Sequence, residues 1–331
     1  MKKRVLQIAA FAVGLLALVV VASLAYVKLA LPNVGPPPTI AIRPTAEQVE
    51  HGRYLANHVA SCMDCHSTRD FSKLAGPMVA GTEGKGGEGF LREAGFPGNY
   101  YAPNLTPTHL GDWTDGEIYQ AITTGVSRDG RALFPVMPYK NYAQMDPDDI
   151  KDIIAYLRSL KPIKNTIPAS EPDFPMNFII NTLPAKSEGG KRPAPSDRIA
   201  YGRYMTTFAA CAECHTPVDK QGQPLPGMDF AGGREFPMPT GTVRSANITA
   251  AKSGIESWTR DTFIARFRSY ANGETQPDVH EGQANSIMPW TMFAHMSDQD
   301  LGAIYDYLRT LKPVENKMER FTPKASMVAE R

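Results

Sequence analysis

An excess of either charge, a long series of alternating strand residues and a rich set of cysteines are all missing from this 331-residue chain. Lys and Arg number 35 against 34 Asp and Glu, for a formal net charge of +1, and this balance argues against a nucleic-acid-binding protein. Hydrophobic residues make up 42% and charged residues 21%, values that exclude a disordered or fibrous chain. No Ser-His-Asp set stands out, and the glycine-rich run at 81–89 lacks the order of a phosphate-binding loop.

Long hydrophobic runs are also scarce, and the one that stands out begins almost at the N-terminus. Three basic residues at 2–4 precede an uncharged run of 23 residues, 5–27, which Lys28 closes. A membrane-spanning helix needs about 20 such residues, whereas the core of a signal peptide has about 7–15. We therefore expect 1–28 to be a membrane anchor or signal segment, with the basic flank in the cytoplasm and the rest exported. Cleavage stays open, because Ser-Leu-Ala at 23–25 offers the small residues that a signal peptidase reads.

The rest of the chain repeats itself. Three separated blocks of sequence occur twice, at offsets of 149, 150 and 151 residues. The paired blocks are Cys62–His66 and Cys211–His215, Gly52–Tyr54 and Gly202–Tyr204, and Tyr156–Pro162 and Tyr307–Pro313. Because the offset is nearly constant over three blocks, the sequence predicts a duplicated domain.

All four cysteines lie in two Cys-x-x-Cys-His motifs. This motif is the attachment site of c-type haem, in which two thioethers hold the porphyrin and the histidine is the proximal iron ligand. A zinc site usually separates its cysteine pairs by about 15–20 residues, far fewer than here, and a redox dithiol needs a βαβ context. Two disulfides stay open as an alternative but would not require the histidines. The sequence predicts two covalent haem c groups held by Cys62, Cys65, His66, Cys211, Cys214 and His215.

The second axial iron ligand of each haem is expected to be a methionine. Met137 lies 71 residues after His66, and Met288 lies 73 residues after His215. Both share the repeat offset of 151, and a proline follows each one. Histidine–methionine ligation raises the reduction potential and suits electron transfer. The fallback ligands are Met145, Met292 and Met296. His109, His280 and His295 could give bis-histidine iron, but these three histidines occupy no common repeat position.

Each copy of the repeat is predicted to be helical. Apolar residues recur at helical spacing over 150–160 and 301–311, a pattern typical of a helix with one buried face. Asp146 and Ser297 are suited to cap the N-termini of these two helices, and Pro162 and Pro313 are expected to end them. Further predicted helices begin at Thr114 and near Thr259, and cover 48–61 and 198–210.

From Gln48 to Pro313 the chain resembles the cytochrome c subunits of membrane-bound bacterial dehydrogenases of the alcohol and gluconate type. The blocks that carry the resemblance are Gly52–Tyr54, Cys62–His66, Asn104–Pro107, Gly111–Asp115, Gly125–Val126, Arg128–Gly130, Met137–Tyr139, Ala155–Leu157 and Phe174–Asn177. The resemblance implies that electrons come from a flavin or quinoprotein dehydrogenase and reduce ubiquinone or a terminal oxidase. Those subunits typically carry three haem motifs and attach through a C-terminal segment, whereas this chain has two motifs and an N-terminal apolar run.

The predicted fold class is all-α, with two tandem cytochrome c domains behind one N-terminal transmembrane helix. A proline-rich exit from the membrane is expected to form a stiff tether that holds the first domain off the bilayer. The predicted segments are the anchor or signal 1–28, the tether 29–45, domain 1 at 46–164, a linker at 165–197, domain 2 at 198–316 and a C-terminal tail at 317–331.

The sequence therefore predicts a dihaem electron carrier, not an enzyme by itself and without catalytic residues. It is expected in the bacterial inner membrane as a single-pass protein on the periplasmic side, with its N-terminus in the cytoplasm. Its donor would be a dehydrogenase or a quinol-linked complex, and its acceptor a downstream cytochrome, a quinone or a terminal oxidase. The alternative is a dihaem cytochrome c peroxidase, which would need one iron whose sixth site opens.

Overall fold

Helices dominate the computed structural model, which describes residues 2–324, and two small antiparallel sheets complete it. The segment before the repeats contains the long helix α1 (Lys2–Leu29). Domain 1 contains α2 (Ala46–Tyr54), α3 (Cys62–Cys65), α4 (Pro107–Leu110), α5 (Asp115–Thr124), α6 (Tyr139–Tyr142) and α7 (Pro147–Ser159). The connection contains α8 (Met176–Ile179), and domain 2 contains α9 (Arg198–Phe208), α10 (Cys211–His215), α11 (Arg260–Arg268), α12 (Trp290–Phe293) and α13 (Asp298–Thr310).

The two sheets make the expected all-α fold class only partly right. The strands, in chain order, are β1 (Gly89–Phe90), β2 (Gly98–Tyr101), β3 (Glu171–Pro172), β4 (Glu235–Met238), β5 (Gly241–Arg244) and β6 (Phe321–Pro323). β2 is the central strand of one sheet and β5 of the other, with antiparallel neighbours on both sides. Strands of two to four residues are too short to leave an alternating pattern in the sequence.

Two of the outer strands come from segments predicted to lie outside the two domains. β3 comes from the predicted linker but pairs with β2 of domain 1, and β6 comes from the predicted tail but pairs with β5 of domain 2. β3 and β6 therefore extend the sheets of the domains that precede them in the sequence. The remainder of the predicted tail, 325–331, lies outside the described residues.

In each domain the first and last helices cross at a glycine. A Cβ atom on Gly52 of α2 would lie 1.8 Å from the Asp152 carbonyl oxygen of α7. A Cβ atom on Gly202 of α9 would lie 2.0 Å from the Ala303 carbonyl oxygen of α13. Only glycine lets two helix backbones approach this closely, which explains why this residue occurs in both repeats.

The substitution Gly202→Ala is expected to destabilise domain 2 by about 3 kcal/mol, because the two helix backbones must move apart. Denaturant unfolding followed by circular dichroism measures the change in the free energy of unfolding. Arg203→Ala is the matched control, since Arg203 is exposed on the same helix and its truncation should cost less than about 0.5 kcal/mol. Equal stabilities of the two variants would contradict this account of the crossing.

The cores are built on the predicted apolar faces of the last helices. On α7, Ile150, Ile153 and Ile154 are buried, and on α13 Leu301 and Leu308 are buried. The predicted capping residues are in place: the side chain of Asp146 accepts a hydrogen bond from the Asp148 amide, and that of Ser297 accepts one from the Asp300 amide. Thr114 and Glu117 form the predicted capping box of α5, and Thr259 caps α11. These predictions from helical periodicity and caps are confirmed.

α1 has no buried residue and is long and apolar enough to cross a membrane, with a mean hydropathy of 2.7 over an 18-residue stretch. The segment after it is extended but does not stand free as a spacer. Gln120 donates a hydrogen bond to the Gly35 carbonyl, and the Ile42 amide donates one to Asp115. Because both partners belong to α5, the tether lies along domain 1 instead of holding that domain away as a separate rod.

Candidate haem sites

Each Cys-x-x-Cys-His motif begins with a residue in the left-handed backbone region. Ser61 has φ 51° and Ala210 has φ 52°, and each immediately precedes the first cysteine of its motif. Residues other than glycine rarely adopt this backbone conformation, and backbone strain of this kind concentrates at functional sites. The repeat therefore conserves the same backbone turn at both motifs.

The histidines of both motifs are held in the same way. Nδ1 of His66 lies 2.8 Å from the Pro103 carbonyl oxygen, and Nδ1 of His215 lies 2.7 Å from the Ala246 carbonyl oxygen. A carbonyl can only accept, so Nδ1 carries the proton and Nε2 is left with its lone pair. Burial also lowers the pKa of both histidines and so favours the neutral ring. A neutral imidazole whose second nitrogen is fixed by a backbone carbonyl is the form in which histidine ligates a metal.

Three of the four cysteines are half-buried, and Cys214 is exposed. All four are free in the structure, so the disulfide alternative is not found among residues 2–324. Burial raises the pKa of Cys62 and of Cys211 to about 12, and it raises the pKa of Cys65 and Cys214 as well. Each site thus offers two free thiols and one neutral imidazole nitrogen, the set that thioether attachment and proximal ligation of a c-type haem require.

The same set of hydrogen bonds fixes the loop that holds each histidine in the two domains. In domain 1, Oδ1 of Asn104 accepts hydrogen bonds from the amide and hydroxyl of Thr106, and Nδ2 donates to the Ile163 carbonyl at 2.7 Å. In domain 2, Asn247 makes the same bonds to Thr249 and donates to the Val314 carbonyl at 2.7 Å. The loop is thereby tied to the chain just after the last helix. The carbonyl that orients each histidine belongs to the residue immediately before the asparagine, so the same bonds fix its position. The sequence showed the repeated Asn-x-Thr block but not this partner.

One continuous cavity of about 3150 Å³ is lined by residues of both motifs. Small-molecule pockets usually measure about 300–1,000 Å³, so this cavity has room for two large groups. Met137 and Met288, the predicted distal ligands, both line it. Of the alternative ligands, Met296 and His109 also line the cavity. The lining does not include Met145, Met292, His280 and His295.

The two domains cap each other's last helix. The Tyr54 hydroxyl donates to Asp300 and accepts from the Ser297 amide at 2.9 Å, at the start of α13. In the reverse direction, the Tyr204 hydroxyl donates to Asp149 at the start of α7 and accepts from a backbone amide there at 3.0 Å. Both tyrosines come from the repeated Gly-Arg-Tyr block. These hydrogen bonds, made in both directions, hold the two domains together with both motifs on the common cavity.

Comparison with known proteins places these features in a family. The cytochrome c family model matches residues 49–161 and again residues 199–312. The chain belongs to the cytochrome c family. The match covers both repeats, including both Cys-x-x-Cys-His motifs.

Several characterised proteins are similar along most of the chain. It is 30% identical over 292 residues to the fructose dehydrogenase cytochrome subunit of Gluconobacter japonicus, which covers 83% of this chain and 54% of that protein. It is 27% identical over 293 residues to the cytochrome c subunit of the quinone-dependent alcohol dehydrogenase of Gluconacetobacter polyoxogenes, covering 83% of this chain and 58% of that protein. It is also 27% identical over 265 residues to a diheme cytochrome c-type protein of Cereibacter sphaeroides, covering 77% of this chain and 83% of that protein. The chain thus spans little more than half the length of the dehydrogenase subunits it matches.

Two cytochrome c domains carry two covalently bound haem c groups, and the prediction of this cofactor is confirmed. Haem iron supplies one-electron chemistry, so the protein acts in electron transfer. The apolar helix α1 fits a membrane anchor. The chain's own contribution is to orient the two imidazoles, to bury the sites and to hold the two domains together.

Proposed function

We propose that this cytochrome c is a membrane-anchored dihaem relay that takes electrons from a dehydrogenase and passes them to a downstream cytochrome, a quinone or a terminal oxidase. The observation that carries the proposal is the single cavity lined by both motifs. Two haems held in one cavity would supply one-electron transfer between each other without an external carrier. The reciprocal tyrosine contacts support a fixed distance between the two groups.

The proposed haem attachment follows the repeat. Each cysteine pair holds one haem, with His66 or His215 as the proximal ligand. Met137 and Met288 are the proposed distal ligands, and their support is that both line the cavity and occupy equivalent repeat positions. The role of this chain would be to offer each iron a neutral histidine nitrogen and a methionine sulfur, and to exclude water from it.

The proposed arrangement in the cell is a single pass through the inner membrane by 1–28, with domains 46–164 and 198–316 in the periplasm. The basic residues at 2–4 support a cytoplasmic N-terminus. The connection 165–197 contributes a strand to the first domain, and the tail from 317 contributes one to the second. Each of these two segments therefore completes the sheet of the domain before it, and 165–197 also connects the two domains.

The names of the relatives support a dehydrogenase as donor, since they are cytochrome subunits of fructose, alcohol and gluconate dehydrogenases. The tagged full chain, purified from its native membranes in mild detergent, is expected to bring a dehydrogenase with it at a fixed ratio. Adding fructose, ethanol or gluconate should then reduce both haems, as seen in their absorption bands. A preparation from which no dehydrogenase co-purifies, and in which none of the three compounds reduces haem, would contradict the proposed donor.

A further inference from the structure

The connection between the two domains carries an apolar surface next to the end of α1. Between Asp173 and Lys186 the sequence has no charged residue. Phe174 is 78% exposed, more than any other large apolar side chain in the described chain after residue 29, and Ile179 is 42% exposed. Large apolar side chains exposed together mark an interaction surface. We call residues 174–179 the apolar step.

Contacts fix the apolar step against α1. Nδ2 of Asn181 donates a hydrogen bond to the Val27 carbonyl oxygen at 3.3 Å. The Lys28 ammonium lies 5.0 Å from the centre of the Phe178 ring. The apolar run of α1 ends at Val27 and Lys28 closes it, so these contacts are made at the level where a spanning helix leaves the hydrocarbon. The step lies at that same level.

The residues on both sides of the apolar step are held by domain 1. Ile180 is buried in a small core with Tyr100 and Ala132, and Arg92 pairs with Asp173 at 2.7 Å immediately before the step. Met176, Ile179 and Ile180 line the common cavity. The position of the step relative to α1 therefore sets the position of domain 1.

We infer that the apolar step is a second membrane contact, in which Phe174 and Ile179 enter the headgroup region of the bilayer beside α1. This inference rests on the proposed membrane anchoring of α1. Exposed aromatic and aliphatic side chains beside a lysine at the end of a spanning helix are typical of the membrane interface. The contact turns domain 1, and with it the wall of the cavity formed by 176–180, toward the membrane. Domain 1 is then the domain nearer to the lipid.

Photo-crosslinking of the full chain in vesicles of phosphatidylethanolamine and phosphatidylglycerol tests the inference. A benzophenone amino acid replaces Phe174 in one variant and Ile179 in a second. Leu15 in the middle of α1 is the position for a lipid-embedded control, and Ile199 is the control in domain 2, 43% exposed and next to Arg198. Mass spectrometry identifies the adducts after illumination.

Lipid adducts at 174 and 179 are expected in yields at least about tenfold above that at 199 and comparable with that at 15. Adducts at 15 without adducts at 174 and 179 overturn the inference and leave the anchoring proposal standing. No lipid adduct at any of the four positions overturns both. A protein adduct at 174 instead of a lipid adduct also overturns the inference, because the step would then be covered by a second chain.

Discussion

Met137→Ala lowers the reduction potential of one haem and leaves the potential of the other unchanged. The thioether sulfur of methionine stabilises ferrous iron relative to ferric iron, and its loss is expected to lower the potential on the order of 100 mV. Met288→Ala is expected to do the same to the other haem. Each substitution acts on one haem because Met137 and Met288 belong to different repeats. Spectroelectrochemical titration resolves the two potentials.

A core methionine provides the matched control for these two variants. Met145 is buried and lies outside the cavity lining, so Met145→Leu, a swap that conserves volume, should leave both potentials as they are. If Met137→Ala or Met288→Ala left both potentials unchanged, the assignment of that ligand would be wrong. A shift after substitution of Met296, which lines the cavity as well, would then identify the replacement in domain 2.

Asp300→Ala is expected to lower the free energy of unfolding by about 3 kcal/mol, the cost of removing one partner from a buried polar network. Asp300 is 5% exposed and accepts hydrogen bonds from Tyr54 of the other domain and from Tyr201 of its own. Burial first, and the nearby Asp300 second, raise the pKa of both tyrosines, so both phenols stay protonated donors. After the substitution neither hydroxyl keeps this acceptor.

A neighbouring residue and a double-mutant cycle separate this effect from a general loss of charge. Asp298 lies in the same first turn of α13 but its side chain is 72% exposed, and Asp298→Ala should cost less than about 1 kcal/mol. Tyr54→Phe combined with Asp300→Ala should cost clearly less than the sum of the two single changes. Additive costs, or equal costs of the Asp298 and Asp300 variants, would show that the tyrosine contact across the domains contributes nothing.

Much of the site could be predicted because its signals are local. The two cysteine motifs and their histidines are contiguous in sequence, and the haem cofactor follows from them directly. The helices α7 and α13 could be predicted because their apolar residues recur at helical spacing and Asp146 and Ser297 cap them. The repeat offset also selected Met137 and Met288, whose roles as iron ligands stay predictions.

The features that sequence reasoning missed are all pairings of distant residues. Tyr54 and Asp300 are 246 residues apart, and nothing near either residue specifies the other. β3 and β6 have two and three residues, and they exist only because a strand far away in sequence offers an edge. The tether packs on α5 through Asp115 and Gln120, polar residues on an otherwise ordinary helix. Composition alone predicts a stiff free segment in such a case.

An optical redox titration of the full chain, matured with haem, is the most direct test of the dihaem relay. The account predicts two haems per chain, each showing the methionine–iron charge-transfer band when oxidised, and no turnover of hydrogen peroxide in any redox state. One haem that lacks this band, together with consumption of peroxide after half-reduction, would contradict the relay and identify a dihaem peroxidase in its place.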